Sequence, residues 1–449
     1  MTTACSYYQG KWFVHEAGEL SAIGDHQALV CYLGDKRLSL VCRDHHALIE
    51  LASWLANECI AQGLPLPGVS ARGGHNGLEF GGVSWSRWRI HTGRSQLSDS
   101  DAEKSPAGKR PGGPDDATWA AEVSAHWSSC VSSLGLRARM SAGTTAVNLL
   151  PEQWIKASKR LALSEPWQEV RNAYYGGRVQ IFDKYTGPAV EHDLVNAYGS
   201  VLAGAFGYLP DWKIYPGREP WCDQPGWLDA TVRVDAKVAP LPYRLPDRKW
   251  QIEWPTSGQW RAWYPLHELL TPGVEIVEVH NAHAGRWDYA LEDKAALLLD
   301  RSRSDRFIKA VVKQLLVSLA GKLAQKPLSW RIWHPTEDSL DCPEGLYSFT
   351  GTSGWLDVYP VRPAYHPPSY LPQVATYVTS KVRCELRSEL NRAGDQAIYC
   401  DTDSVHAIAG EYQPSNIGSH PGQWAEKARG NARYYARRHY FVGRKRVGC

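Results

Sequence analysis

Across its 449 residues the chain has no CxxC pair, only 2 methionines and, from Lys427 to Arg446, no acidic residue. Long hydrophobic runs are missing too. The apolar stretches are broken by charge or glycine within about ten residues, well short of the roughly 20 that cross a bilayer. Met1–Gly10 lacks the basic and apolar regions of a secretion signal, so a cytoplasmic protein is expected. The ten cysteines stand singly, with no Cys/His spacing of a zinc site, and free thiols in a reducing compartment are the expectation. Residues 94–117 are Ser, Asp, Gly, Pro and Lys with almost no large apolar side chain. Such a composition cannot offset the entropy of ordering, and it predicts a flexible loop or linker.

What is present allows two or three domains with sizeable cores, since 43% of the residues are hydrophobic. The net charge of +3 hides an uneven distribution, because Lys427 to Arg446 holds eight Lys or Arg. That run suits a polyanion partner, although a solvated basic face has the same pattern. The 20 tryptophans carry no activity by themselves. Ala28–Leu33 and Leu38–Cys42 read as strands and His46–Ala61 as a helix, an α/β unit. Beyond Trp167 the pattern becomes α+β, with strands near Arg178–Phe182, Ala189–Leu194, Leu228–Val234 and Ala397–Ile408. Two long helices are expected at Arg303–Gln325 and Leu371–Leu390. No internal repeat is found.

The chemistry concentrates in Tyr399-Cys400-Asp401-Thr402-Asp403-Ser404, an acidic tip between two apolar flanks. Two carboxylates there repel one another unless a divalent cation lies between them, although D-x-D-S is also ordinary hairpin-turn chemistry. A second acid, Asp193, ends an apolar run and precedes a turn. Three strand-end carboxylates can share the two metal ions that phosphoryl transfer uses. Lys309 and Lys313 lie one turn apart on the predicted helix, where they can hold a triphosphate or simply meet solvent.

Order and spacing tie these pieces together: Lys313 follows Asp193 by 120 residues and Asp401 follows Lys313 by 88. Asp193–Ser200, Lys313–Lys322 and Tyr399–Ser404 resemble motifs A, B and C of the family B DNA polymerases. Their patterns there are D-x-x-S-L-Y-P-S, K-x-x-x-N-S-x-Y-G-K and Y-x-D-T-D-S. The protein-primed phage and plasmid branch is the most similar. Its Y-x-G-G resembles Tyr174-Tyr175-Gly176-Gly177, and its helix before motif C resembles Tyr377-Val378-Thr379 through Arg383. Its L-G-x-W and K-x-Y resemble Gly422-Gln423-Trp424 and Arg438-His439-Tyr440.

The resemblance implies a right-hand polymerase palm, α+β, at residues 169–300 and 331–449, with helical fingers at 301–330. It implies Asp193 and Asp403 as ligands of two Mg2+ or Mn2+ ions, with the Leu194 carbonyl helping and Asp401 in support. It further implies dNTP as substrate, Tyr198 as the gate against a ribose 2′-hydroxyl, and Lys309 and Lys313 on the triphosphate. Primer-template DNA is the expected partner, met by Tyr174, Gly176, Gly177, Arg438 and Tyr440. Priming on a protein hydroxyl, an RNA or a DNA end stays open.

The departures carry their own expectations. Asn196, Ala197 and Gly199 replace Ser, Leu and Pro, while Val317 and Ala320 replace the Asn and Tyr of motif B. Losing that ring predicts loosened base selection. Phe13-Val14-His15-Glu16 and His75–Gly81 resemble the F-D-x-E and H-N-x-x-F-D of an RNase H-like, α/β proofreading exonuclease with both Asp lost. Residues 1–93 and 118–168 are therefore expected to form a degenerate exonuclease-type domain without 3′ to 5′ activity. Lys445–Cys449 resembles the K-x-x-G that opens the thumb, with no thumb after it, which implies a partner subunit or second copy for grip. Two other readings remain: a template-independent or protein-nucleotidylating transferase on the same palm, and a retired DNA-binding scaffold.

Overall fold

The computed structural model describes residues 3–33, 97–139, 141–162, 164–204, 225–246, 251–325, 369–410 and 412–443, together with isolated positions and the backbone of the further strands named below. The chain divides into two units, each built from three segments. Unit 1 comprises 1–148, 301–318 and 326–367, and unit 2 comprises 149–300, 319–325 and 368–449.

Unit 1 carries a ten-stranded sheet. Thr3–Tyr8, Lys11–Glu16 and Glu19–Gly24 form an antiparallel meander, and Ser39–Cys42 and Trp88–His91 add to it in parallel. Helix Asp116–Ser133 buries Ala117, Ala120, Ala121, Ser124, Trp127 and Val131, a helical stripe of mostly small residues that lies against the first strand. Ala28–Leu33 is helical rather than extended, within His26–Leu33. Asp25 caps it, its carboxylate accepting the Ala28 N–H at 2.9 Å, and this cap decides an apolar run too short for periodicity to classify. Most of His46–Ala61 lies outside the described residues.

Within 94–117, residues 97–117 are ordered, against expectation. Polar bonds add to a few buried apolar side chains, Leu97, Ala102 and Ala117: Asp116 accepts from Arg110 Nε at 2.7 Å and from the Gly112 N–H at 2.8 Å. Trp119 Nε1 donates to the Gly108 carbonyl at 2.9 Å, and Ser6 Oγ to that of Pro114 at 3.1 Å. The unit boundaries also differ from the sequence reading. Residues 149–168 belong with unit 2, and the strands Ser329–Pro335, expected across the boundary of fingers and palm, and Gly354–Pro360, expected in the palm, join the sheet of unit 1.

Among the described residues unit 2 holds three antiparallel sheets, the smallest being the pair Tyr243–Arg244 and Ile252–Glu253. The segment between the first acid and the basic helix folds into four strands in the order Phe206–Ile214, Val274–Asp288, Gly226–Asp235, Ser257–Pro265, with Leu228, Ala230, Val232 and Val234 alternating into a core. The third sheet has seven strands: β1 Val179–Ile181, β2 Thr186–Leu194, β3 Ala397–Asp401, β4 Ser404–Ile408, β5 Trp424–Ala436, β6 His439–Val442 and β7 Lys445–Val447. Their order is β7-β6-β5-β2-β4-β3-β1, antiparallel throughout. Val190 and Leu194 of β2 pack with Val382, Leu386 and Leu390 of the long helix Pro372–Ala393 on one face. Ala189 joins Tyr399, Tyr434 and Tyr440 on the other. Because side chains alternate along a strand, Glu191 and Asp193 share that second face.

Candidate active site

Strand pairing brings the acids of the two distant motifs together. Ser404 lies opposite Asp193, and the Leu194 N–H donates to the Asp403 carbonyl at 2.8 Å. The β3–β4 turn is tight: the Asp403 N–H bonds the Asp401 carbonyl at 2.6 Å, and Thr402 sits at φ +59°. A β-branched residue in the left-handed region costs about 1–2 kcal/mol, so its surroundings must hold it there. The Thr402 N–H donates to the Arg178 carbonyl at 2.7 Å, and its hydroxyl to Asp401 Oδ1 at 3.0 Å. Gly177 leaves the room: a Cβ at that position would lie 2.6 Å from Thr402 Cγ2, whereas Gly176 faces open space. The Y-x-G-G-like segment is itself fixed from below. Buried Arg383 makes a two-armed pair with Glu268, both bonds at 2.8 Å, and donates to the Tyr175 carbonyl at 2.6 Å. Arg244 donates to the Tyr174 carbonyl at 2.9 Å.

After β2 the chain turns into a short helix, Ala197–Leu202, entered through Asn196 at φ +48°. Asn tolerates this conformation better than most residues, which gives a physical reason for Asn196 in motif A. The Gly422-Gln423-Trp424 segment clasps the turn, with the Val195 N–H on the Gln423 carbonyl and the Gly422 N–H on the Val195 carbonyl, both at 2.8 Å. Tyr198 lies in the helix, half-buried. Burial, then the charge of Asp403, pushes its pKa up to about 12, with Asp401 adding to the effect.

Cations from the β5–β6 hairpin meet the acids. Lys427 Nζ stands 2.9 Å from Asp193 Oδ2. Burial acts to lower its pKa, but Asp193, Glu191 and Asp403 outweigh it and hold the ammonium above the ordinary lysine value. Arg438 Nε is 3.3 Å from Asp401 Oδ2, and its backbone N–H donates to the Tyr399 hydroxyl at 3.0 Å. Among the described residues no group of three or more His, Cys, Asp or Glu is arranged to hold a metal ion as the side chains stand. The donor set is nonetheless of the right chemistry for Mg2+ or Mn2+, hard carboxylate oxygens on neighbouring strand ends.

Other expected residues fall differently. Tyr440 is only 3% exposed, its ring 5.0 Å from those of both Tyr399 and His406, so it supports the strand beside Arg438 and offers almost no surface to a nucleic acid. Lys309 and Lys313 are exposed on helix Arg306–Leu323 in line with Val317 and Gly321, while Ala320 is buried. Both lysines belong to unit 1 and the three carboxylates to unit 2. Val14 is buried, as a core residue in place of an acid would be, and Glu16 accepts a bond from the Tyr32 hydroxyl. His75-Asn76-Gly77 lies outside the described residues.

Lys427 and Glu268 are the site residues that the sequence did not single out, whereas Arg383 ends the stretch that resembles the helix before motif C. A signal for Lys427 existed in Gly422-Gln423-Trp424, which anchors β5 beside β2 and places the following residues along Asp193.

No protein-family model and no curated protein sequence matches the chain. Solved structures do. Phi29 DNA polymerase in a ternary complex with primer-template DNA and incoming nucleotides aligns over 98% of this chain and 86% of its own, with TM-score 0.68 and 16% identity. Its orthorhombic crystal form gives TM-score 0.70 at 16% identity over 98% and 87%, and its complex with single-stranded DNA 0.68 at 17% over 98% and 86%. The chain shares the fold of phi29 DNA polymerase. The seven-stranded sheet fits the palm of such a fold.

Proposed function

We propose that the protein is a DNA polymerase that transfers dNTPs to a primer hydroxyl with Mg2+ or Mn2+ and does not proofread. The observation that carries this reading is the pairing of β2 with β4, which sets Asp193 beside the Asp401–Asp403 turn within a fold matched by a polymerase of known DNA and nucleotide complexes. Asp193 and Asp403 would hold the metal ions, with the Leu194 carbonyl and Asp401 in support. When bound, the ions supply activation of the attacking hydroxyl and stabilisation of the leaving oxygen. The remaining work falls to the chain. Tyr198, in the short helix after Asp193, would pack under the sugar and reject a 2′-hydroxyl. Lys309 and Lys313 offer two ammonium groups one turn apart, matched to a triphosphate. Arg438 and the exposed arginines of the β5–β6 hairpin suit the primer-template backbone. A protein hydroxyl, an RNA or a DNA end can each serve as primer in this scheme.

The test is incorporation of labelled dNTPs with Mg2+ or Mn2+, with and without primer-template, beside Asp403→Ala. Template-directed products lost in the variant are expected. Untemplated products would replace this reading with a terminal transferase, which the loss of the motif B Tyr at Ala320 would suit. Absence of any product would favour a missing partner subunit or a retired scaffold.

A further inference from the structure

Between Glu426, opposite His192, and Ala428, opposite Glu191, strand β5 contains one residue more than β2, and that residue is Lys427. Bulges of this kind re-aim a side chain and are enriched beside active sites. Here the extra residue points its ammonium at Asp193 Oδ2, 2.9 Å away, on the face that also carries Glu191. The side chain of Asp193 is 19% exposed and that of Lys427 45%, so the pair sits where solvent and ligands can reach it.

We propose that Lys427 is a built-in counter-ion that holds the carboxylates assembled while no metal is bound and must swing away when a divalent ion arrives. This rests on the metal reading of Asp193 and Asp403 given above. A plain structural strut would not need a bulge, since the in-register residues Ala425 and Glu426 already continue the strand pairing. An ammonium on a metal ligand competes with the metal for the same oxygen and repels it at short range. The Lys427-paired site therefore resists a lone cation, and the four negative charges of an incoming triphosphate tip the balance. Lys427 thus couples metal entry to nucleotide arrival, acting as a positioning residue through Asp193.

The experiment measures Mn2+ binding to the full chain without nucleotide or DNA, by electron paramagnetic resonance, for wild type, Lys427→Met, Lys427→Arg and Asp193→Ala. Lys427→Met should bind roughly tenfold or more tightly than wild type. Lys427→Arg should stay near wild type, and Asp193→Ala should lose the site. Should Lys427→Met melt early, Lys427→Gln takes its place with the same expectation. Equal or weaker binding in the Met and Gln variants, with wild-type binding still dependent on Asp193, overturns the counter-ion role and leaves the metal site standing. No Mn2+ bound by any of the proteins overturns the metal reading, and this proposal with it.

Discussion

A single carboxyl group removed from the β3–β4 turn tests the chemistry while keeping the bond from the Leu194 N–H to the Asp403 backbone carbonyl. Asp403→Ala should therefore melt near wild type and lose incorporation by about a hundredfold or more, read by primer extension beside a thermal melt. Tyr198 gives a second test. If its ring is the gate, Tyr198→Ala should raise ribonucleotide use relative to dNTP, whereas Tyr198→Phe should keep discrimination. Equal ratios in all three proteins would remove the gate role. With its pKa held near 12, the hydroxyl keeps its proton at neutral pH, so neither variant should shift a limb of the pH–rate profile there. The carboxylates were legible as residues because two-metal chemistry fixes their type and their strand ends. Lys427 was not, because its role depends on the register of β5 against β2.

At the level of elements, the turn depends on what packs beneath it. Gly177→Ala forces a carbon to 2.6 Å from Thr402 and should cost roughly 1–3 kcal/mol in denaturant unfolding, while Gly176→Ala, facing open space, should cost far less. Arg383→Met leaves Glu268 charged and buried, and a loss of about 3–5 kcal/mol is expected from the same measurement. Beside this pair, His267 Nε2 lies 2.7 Å from Ser380 Oγ, and burial, aided by Lys381, Arg383 and Arg387, holds the imidazole well below its usual pKa. The unfolded imidazole takes a proton that the buried one refuses. Its contribution to stability is thus complete above the unfolded pKa of about 6.5 and falls as pH drops below it. Urea unfolding between pH 7 and 5 should show a steeper loss in wild type than in His267→Gln. Parallel curves would show that His267 is not the titrating group. The helices around Lys309 and Arg383 were readable from long apolar periodicity. Ala28–Leu33 was misread because six apolar residues suit either element until the Asp25 cap is known.

For the whole molecule, the acid-free run Lys427–Arg446 turns out to be strands, with Arg433, Arg437 and Arg438 exposed. If DNA lies on this hairpin, Arg433→Ala with Arg437→Ala should weaken duplex binding and flatten the dependence of log affinity on log salt by about two. An unchanged slope would place the DNA elsewhere. The order of motifs made the architecture readable, but composition alone misjudged 97–117, where hydrogen bonds add to the burial of Leu97, Ala102 and Ala117. It also could not assign Ser329–Pro360, whose strands complete a sheet begun near the N-terminus. A similar long-range closure governs β2. Its only two neighbours in the sheet, β4 and β5, lie more than 200 residues further along the chain. At a synthesis rate of roughly 5–20 residues per second, the strand bearing Asp193 waits some 10–40 seconds on the ribosome with both edges unpaired. Expression yield should accordingly respond to translation speed and to chaperones that shield nascent strands.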